Sequence, residues 1–184
     1  MPTSRIARNE IILVADADPD ARQIYSAFLH HYGFQVVAVT TGRDALAVAP
    51  SVDAVVTEIP LPGDIGGLEL IARLKGDSRT TDIPIIVVTS RAWSTDRDRA
   101  TGAGCDLFLS KPCLPHDLMD SINRLLARRR RRERAKTIHT AARQPHRLDR
   151  HWRVERRGRS ESATRESHRR RSLREVAVPL LRRG

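Results

Sequence analysis

Four positions along the chain carry side chains that suit the handling of a phosphoryl group. Each lies one or two residues beyond a short apolar run: Asp16, Glu58, Thr89 (followed by Ser90) and Lys111 (followed by Pro112). Carboxylates hold hard cations such as Mg²⁺, and a hydroxyl and an ammonium can hold phosphoryl oxygens. A carboxylate after a single strand is usually a turn or capping residue, so the prediction depends on all four positions meeting in one crevice.

The apolar runs that precede these residues have the length and composition of buried β-strands. The runs are continuous and rich in β-branched residues, and they lie at 11–15, 36–39, 54–56, 85–88 and 107–109. Such runs are typical of parallel strands covered on both faces, and segments with helical spacing alternate with them. This order predicts an α/β fold with a five-stranded, doubly wound parallel sheet. Its working crevice is expected beyond the C-terminal ends of the strands.

Local signals predict where the helices begin and end. Asp18 followed by Pro19 is typical of a helix N-cap and first helical position. Gly33 and Gly76 stand where helices would end in a left-handed residue. Trp93, in the loop after the fourth run, is expected to pack on the following helix rather than to flank the pocket.

Charge and composition divide the chain near residue 126. Residues 1–126 carry 12 basic and 16 acidic side chains, whereas residues 127–184 carry 21 and 6. The second part contains only 8 Leu, Ile, Val and Phe residues, too few to bury a core. We therefore predict an N-terminal extension at 1–9, a folded domain at 10–126 and a disordered, arginine-rich tail at 127–184. The last helix is expected to end near Arg132, with a weak helix at 176–181.

Several other classes of protein are not expected. No run approaches the roughly 18 apolar residues of a membrane span, and the first residues lack the pattern of a secretory signal. Cys105 and Cys113 are too few for a disulfide framework. The absence of a nucleophile–base pair and of a glycine-rich cofactor loop argues against an enzyme. The expected location is the cytoplasm.

The chain resembles the CheY-like receiver domains of bacterial two-component response regulators over roughly residues 10–126. Four stretches carry the resemblance: ILVADADPDAR, DAVVTEIPLPG, IPIIVVTS and FLSKPCLPHDL. The resemblance implies a flavodoxin-like sheet with the strand order 2-1-3-4-5. It also implies a role in phosphorelay signalling rather than catalysis, with a sensor histidine kinase or another signalling protein as partner.

The resemblance implies roles for individual positions and exposes two departures. Glu58 stands where the family has its phosphoacceptor aspartate, and Ala17 stands where a second acid would ligate Mg²⁺. Thr89 and Lys111 match the hydroxyl and the lysine that contact the phosphoryl group. Asp16 and Glu58 would remain as metal ligands, so Mg²⁺ is expected to bind weakly or not at all.

The longer side chain of Glu58 leaves three outcomes open. Its extra methylene moves the carboxylate outward by about 1.5 Å, which impairs the in-line geometry of phosphoryl transfer. Glu58 could reach Lys111 or Thr89 and mimic the phosphorylated state, the domain could dock on partners without phosphate, or residual phosphorylation could persist. Output is expected through the face formed by the fourth helix, the fifth strand and the fifth helix. On that strand Phe108 matches the family's switch aromatic, although an ordinary core position is equally consistent with the sequence.

The arginine-rich tail supports an alternative hypothesis. Arginines neutralise nucleic-acid phosphates without sequence preference, so the protein could be a nucleic-acid-associated regulator that binds through residues 127–184. The tail is equally compatible with a solvated extension, or with a shifted reading frame in an arginine-rich coding region.

Overall fold

The computed structural model describes residues 10–142. Its elements are β1 (Ile11–Ala15), α1 (Pro19–His31), β2 (Gln35–Val39), α2 (Gly42–Val48), a 3-10 helix (Ala49–Ser51), β3 (Ala54–Thr57), α3 (Gly67–Gly76), β4 (Ile85–Thr89), α4 (Ser94–Ala103), β5 (Leu107–Ser110) and α5 (Pro115–Ala142). The chain divides into two units, residues 1–134 and 135–184. Only the helical residues 135–142 of the second unit are described.

The five strands form one parallel sheet in the order β2-β1-β3-β4-β5. The predicted doubly wound α/β fold and its strand order are therefore confirmed. The three inner strands, β1, β3 and β4, are buried along almost their whole length. Continuous apolar runs suit these strands because helices cover the sheet on both sides.

Successive residues of each strand point to opposite faces of the sheet and build two apolar cores. On one face Leu13 and Val55 pack with side chains of α2, α3 and α4. On the other face Ile12 and Val56 pack with side chains of α1 and α5. Packing in both cores holds the strands in a fixed register. This register determines which residues lie beside one another at the strand ends.

The parallel register brings the C-terminal ends of the inner strands to one edge of the sheet. Ala15 pairs with Thr57, and Thr57 pairs with Val87. On the other side of β4, Thr89 pairs with Ser110. The residues that follow β1, β3 and β5, together with the last residue of β4, therefore lie beside one another.

Most of the predicted helix boundaries agree with the structure. Asp18 caps α1, and its side chain accepts a hydrogen bond from the backbone N–H of Asp20. Gly33 adopts φ +90°, as predicted, but Gly76 has no positive φ. Gly76 is instead the last residue of α3, and the chain leaves through an extended Asp77. The prediction for Gly76 was wrong because an extended exit needs no left-handed residue.

Helix α5 is longer than the sequence predicted, since it runs past Arg132 to Ala142. Arginine, lysine and alanine are strong helix formers, and Arg129 makes an ion pair with Glu133 one turn later. These local preferences extend the helix although its last turns contain few apolar residues. The predicted disorder beyond this point and the weak helix at 176–181 lie outside the described residues.

Two adjacent glycines at the start of α3 differ sharply in their surroundings. A Cβ at Gly67 would lie inside the contact distance of the backbone carbonyl of Glu58, whereas a Cβ at Gly66 would stay 3.7 Å from the carbonyl oxygen of Ile59. The close approach at Gly67 thus lets α3 begin directly against the backbone that carries Glu58.

We expect Gly67→Ala to lower the free energy of unfolding by about 3 kcal/mol, because a methyl group must displace backbone in a packed region. Gly66→Ala is the matched control and should cost about 1 kcal/mol, the loss of a good N-cap residue. Urea denaturation of the two variants checks this. Equal losses of stability would contradict the role given to Gly67.

Candidate functional site

An ion triad occupies the crevice at the C-terminal ends of the strands. The ammonium Nζ of Lys111 lies 2.7 Å from Asp16 Oδ2 and 2.9 Å from Glu58 Oε2. The side chains of Asp16 and Glu58 are only 6% and 4% exposed, and that of Lys111 is 19% exposed. Three residues that the sequence placed after three different strands therefore meet in one largely buried cluster.

The triad keeps Lys111 charged. Burial on its own would lower the pKa of Lys111, because desolvation disfavours the ammonium. The hydrogen bonds to Asp16 and Glu58, and the negative charges of these groups, outweigh that effect and raise the pKa of Lys111 above its ordinary value. One buried cation is thus shared between two carboxylates.

Backbone N–H groups also donate hydrogen bonds to the carboxylate oxygens of the triad. Glu58 Oε1 accepts a hydrogen bond from the backbone N–H of Ile59 at 2.8 Å, and Oε2 accepts one from Ser90 at 3.4 Å. Asp16 Oδ1 accepts a hydrogen bond from the backbone N–H of Asp18 at 3.0 Å. Each of the four carboxylate oxygens is therefore engaged by a protein donor.

A second cation, the guanidinium of Arg22 in the first turn of α1, reaches the loop between β1 and α1. Its guanidinium donates hydrogen bonds to the backbone carbonyls of Asp16 at 2.6 Å and Ala17 at 2.9 Å. Ala17 itself offers only a methyl group. At the position where related receivers, by the resemblance, have a second acid, this chain therefore has an apolar side chain. The backbone carbonyl of Ala17 accepts a hydrogen bond from Arg22.

The side chain of Thr89 makes its hydrogen bond toward α4 and not toward Glu58. The hydroxyl of Thr89 is fully buried and accepts a hydrogen bond from the backbone N–H of Arg91 at 3.0 Å. Arg91 in turn lies 3.5 Å from the buried carboxylate of Asp96 in α4. Within the described residues no hydrogen bond joins Thr89 to Glu58. Of the two contacts considered for Glu58, the structure thus contains the one with Lys111 and lacks the one with Thr89.

The aromatic residues near α4 have contrasting environments. Phe108 is buried in the core beneath α2, α3 and α4, and the guanidinium of Arg97 lies 4.8 Å from the centre of its ring. Trp93 caps the start of α4 and is 73% exposed. The expectation that Trp93 packs on α4 was wrong, because the extended backbone at this cap directs the side chain to solvent.

Sequence reasoning missed Arg22 and Tyr25, which stabilise the loops around the crevice. The buried hydroxyl of Tyr25 donates a hydrogen bond to the backbone carbonyl of Cys113, just after Lys111. Burial, together with nearby negative groups, raises the pKa of Tyr25 to about 12. Both residues follow Pro19 within two turns of α1, and no motif in the sequence marks either of them.

Two further structural findings concern residues 10–142. In this range no group of three or more His, Cys, Asp or Glu side chains is arranged to hold a metal ion. No helix of the same range has both the length and the apolar character needed to cross a membrane.

Comparison with known proteins gives consistent matches. The model of the response regulator receiver domain family matches residues 12–123. The chain is 32% identical to protein PilH of Pseudomonas aeruginosa over 63% of the chain and 97% of that protein. It is 30% identical to response regulator SaeR of Staphylococcus epidermidis over 64% of the chain and 50% of that protein. The chain thus spans about half the length of the first curated relatives it matches.

A solved structure with the same fold is the receiver domain of a sensor histidine kinase from Pseudomonas aeruginosa PAO1, which has a magnesium ion coordinated in its active-site cleft. The TM-score is 0.60 at 24% identity, and the alignment covers 65% of this chain and 99% of that one. At this level of identity the likeness concerns the fold.

We expect Lys111→Met to lower the free energy of unfolding by about 3 kcal/mol, because two buried carboxylates lose their shared cation. Lys75→Met is the matched control. Lys75 pairs with a single carboxylate, that of Asp106, and this carboxylate is more exposed than those of Asp16 and Glu58. The control substitution should cost about 1 kcal/mol. Chemical denaturation at neutral pH measures both, and equal losses would contradict a buried triad.

Proposed function

Because the chain belongs to the response regulator receiver domain family, we propose that it serves two-component signalling as an atypical receiver that works with little or no phosphorylation. The observation that carries this proposal is the contact of Lys111 with both Asp16 and Glu58. In this role the domain is a cytoplasmic signalling module and not an enzyme. Its partner is a sensor histidine kinase or another signalling protein.

The donor set of the crevice fits Mg²⁺ poorly. The ion prefers octahedral coordination with carboxylate, carbonyl, phosphate and water oxygens, and Ala17 supplies no carboxylate. The oxygens of Asp16 and Glu58 already accept hydrogen bonds, and the Lys111 ammonium lies between them. A divalent cation would have to displace that ammonium, so we infer that Mg²⁺ binds weakly.

The position of Glu58 also disfavours phosphoryl transfer. Its outer oxygen, Oε2, already engages the Lys111 ammonium and the backbone N–H of Ser90. By the family resemblance, these groups would otherwise hold the transferred phosphoryl group. An acceptor oxygen enclosed by its own stabilising donors is poorly placed for in-line attack, and a displacement near 1 Å can cost about a hundredfold in rate.

Glu58 reproduces only part of a phosphorylated site. It engages Lys111, but the hydroxyl of Thr89 stays with the backbone of Arg91. In phosphorylated relatives, as the resemblance implies, this hydroxyl is drawn toward the phosphoryl group. The arrangement therefore supports docking without phosphate more than complete mimicry of the phosphorylated state.

The α4–β5–α5 face is the proposed contact surface. Thr89, Arg91 and the buried Asp96 form a polar connection from the crevice to α4. Two exposed apolar side chains, Trp93 and Leu114, lie just before α4 and α5. Exposed aromatic and aliphatic side chains are frequent anchors in protein interfaces.

We expect the wild-type protein to gain no phosphoryl group when it is incubated with acetyl phosphate and Mg²⁺. The double variant Ala17→Asp with Glu58→Asp should gain one, because it restores the second acid and the shorter carboxylate beside an intact Lys111. Intact-protein mass spectrometry measures the modification.

Two controls sharpen this experiment. Ala17→Asp alone should remain unmodified because Glu58 is still present, and chelation of Mg²⁺ should abolish modification of the double variant. Efficient modification of the wild type would overturn the proposal of an atypical receiver.

We expect Thr89→Val to speed backbone hydrogen exchange at 90–97 by up to about tenfold, because the N–H of Arg91 loses its acceptor. Thr80→Val is the matched control, since Thr80 is also buried but donates to Leu74 on another part of the domain. Exchange measured by mass spectrometry tests the connection to α4. An unchanged rate at 90–97 would show that Thr89 does not control this segment.

A further inference from the structure

The second half of α5 is anchored to the domain by two arginines of its basic block. Nη1 of Arg129 donates a hydrogen bond to the backbone carbonyl of Asp53 at 2.9 Å, and Arg130 makes an ion pair with Glu10. Asp53 and Glu10 directly precede β3 and β1. The anchored part of the helix therefore lies at the edge of the sheet opposite the crevice.

The other arginines between residues 124 and 134 form an exposed set, which we call the arginine stripe: Arg124, Arg128, Arg131, Arg132 and Arg134. Spacings of four and three residues place Arg124, Arg128 and Arg131 on one side of the helix. The buried residues Ile122 and Leu126 lie on the opposite side. At about 1.5 Å per residue the stripe is about 15 Å long.

Four members of the arginine stripe are available to an external anion. Within residues 10–142, Arg128, Arg131, Arg132 and Arg134 make no ion pair with an acidic side chain. The anchors hold the helix that carries these arginines against the domain, so the positive charge sits on a rigid surface. A preorganised cationic surface loses less conformational entropy on binding than a flexible segment does.

The charge of the rest of the domain restricts how a polyanion can approach. Residues 10–123 carry 9 basic and 16 acidic side chains, whereas residues 124–134 carry 7 and 1. A polyanion is repelled by most of the domain and attracted along α5. This asymmetry defines one binding face.

We propose that the arginine stripe binds the phosphate backbone of duplex nucleic acid without sequence preference. Guanidinium groups pair well with phosphate oxygens, and backbone contacts of this kind carry no sequence information. A membrane surface fits less well, because an interfacial helix needs an exposed apolar side. Over residues 118–126 the apolar side of α5, with Leu118 and Leu125, is buried in the core.

The test compares full-length chains in binding to duplex DNA over a range of salt concentrations. The triple variant Arg128→Gln, Arg131→Gln and Arg132→Gln removes three contacts, so the slope of log K against log salt should become shallower by about 2.7. The matched control removes the same charge elsewhere, at exposed arginines that pair with neighbouring acids: Arg43→Gln, Arg73→Gln and Arg79→Gln. The control should keep the wild-type slope.

Three outcomes would overturn the proposal. If the triple variant keeps the wild-type slope, the stripe makes no contact with DNA. If the control and the triple variant change equally, binding depends only on net charge. If the triple variant loses as much binding to phosphatidylserine vesicles as to DNA at equal phosphate concentration, the stripe is a general anionic surface. None of these readouts depends on the crevice, so they are independent of the proposed receiver function.

Discussion

A single buried ammonium, that of Lys111, holds together the end of the sheet where the chain carries its chemistry. Two carboxylates close enough to contact the same ammonium would repel each other, and both would be costly to desolvate. Lys111 offsets both costs by contacting Asp16 and Glu58 at once. The shared ammonium reduces the formal charge of this group from −2 for the two carboxylates alone to −1 for the triad.

This arrangement changes what the fold can do with its crevice. A receiver that depends on phosphate keeps a carboxylate available and recruits a metal and a phosphoryl group to it. Here the longer side chain of Glu58 reaches the lysine itself, and the methyl group of Ala17 withdraws a metal ligand. The pathway through Thr89 and Arg91 to α4 is still present. In the proposed atypical receiver, this connection to the contact surface is kept, while the crevice lacks the second acid and the shorter carboxylate that efficient phosphorylation requires.

The sequence predicted the fold and the convergence of the triad because both follow from one strong pattern. Continuous apolar runs define parallel strands, and parallel register brings Asp16, Glu58 and Lys111 to one edge. The sequence could not predict which side chain Glu58 contacts. Whether Glu58 reaches Lys111 or Thr89 depends on where the backbone lies, to within an ångström. The sequence also gave no signal for Arg22, whose role is to bind backbone carbonyls that become its neighbours only after folding.

The most direct test of the shared ammonium is a Mg²⁺ titration of the full chain, followed by the backbone amide NMR signals of Ala17 and Glu58. A crevice already filled by Lys111 should show no saturable shift of these signals at millimolar Mg²⁺. A saturable shift at both residues, with displacement of the Lys111 ammonium signal, would contradict a crevice filled by the shared ammonium and would indicate a metal-dependent receiver.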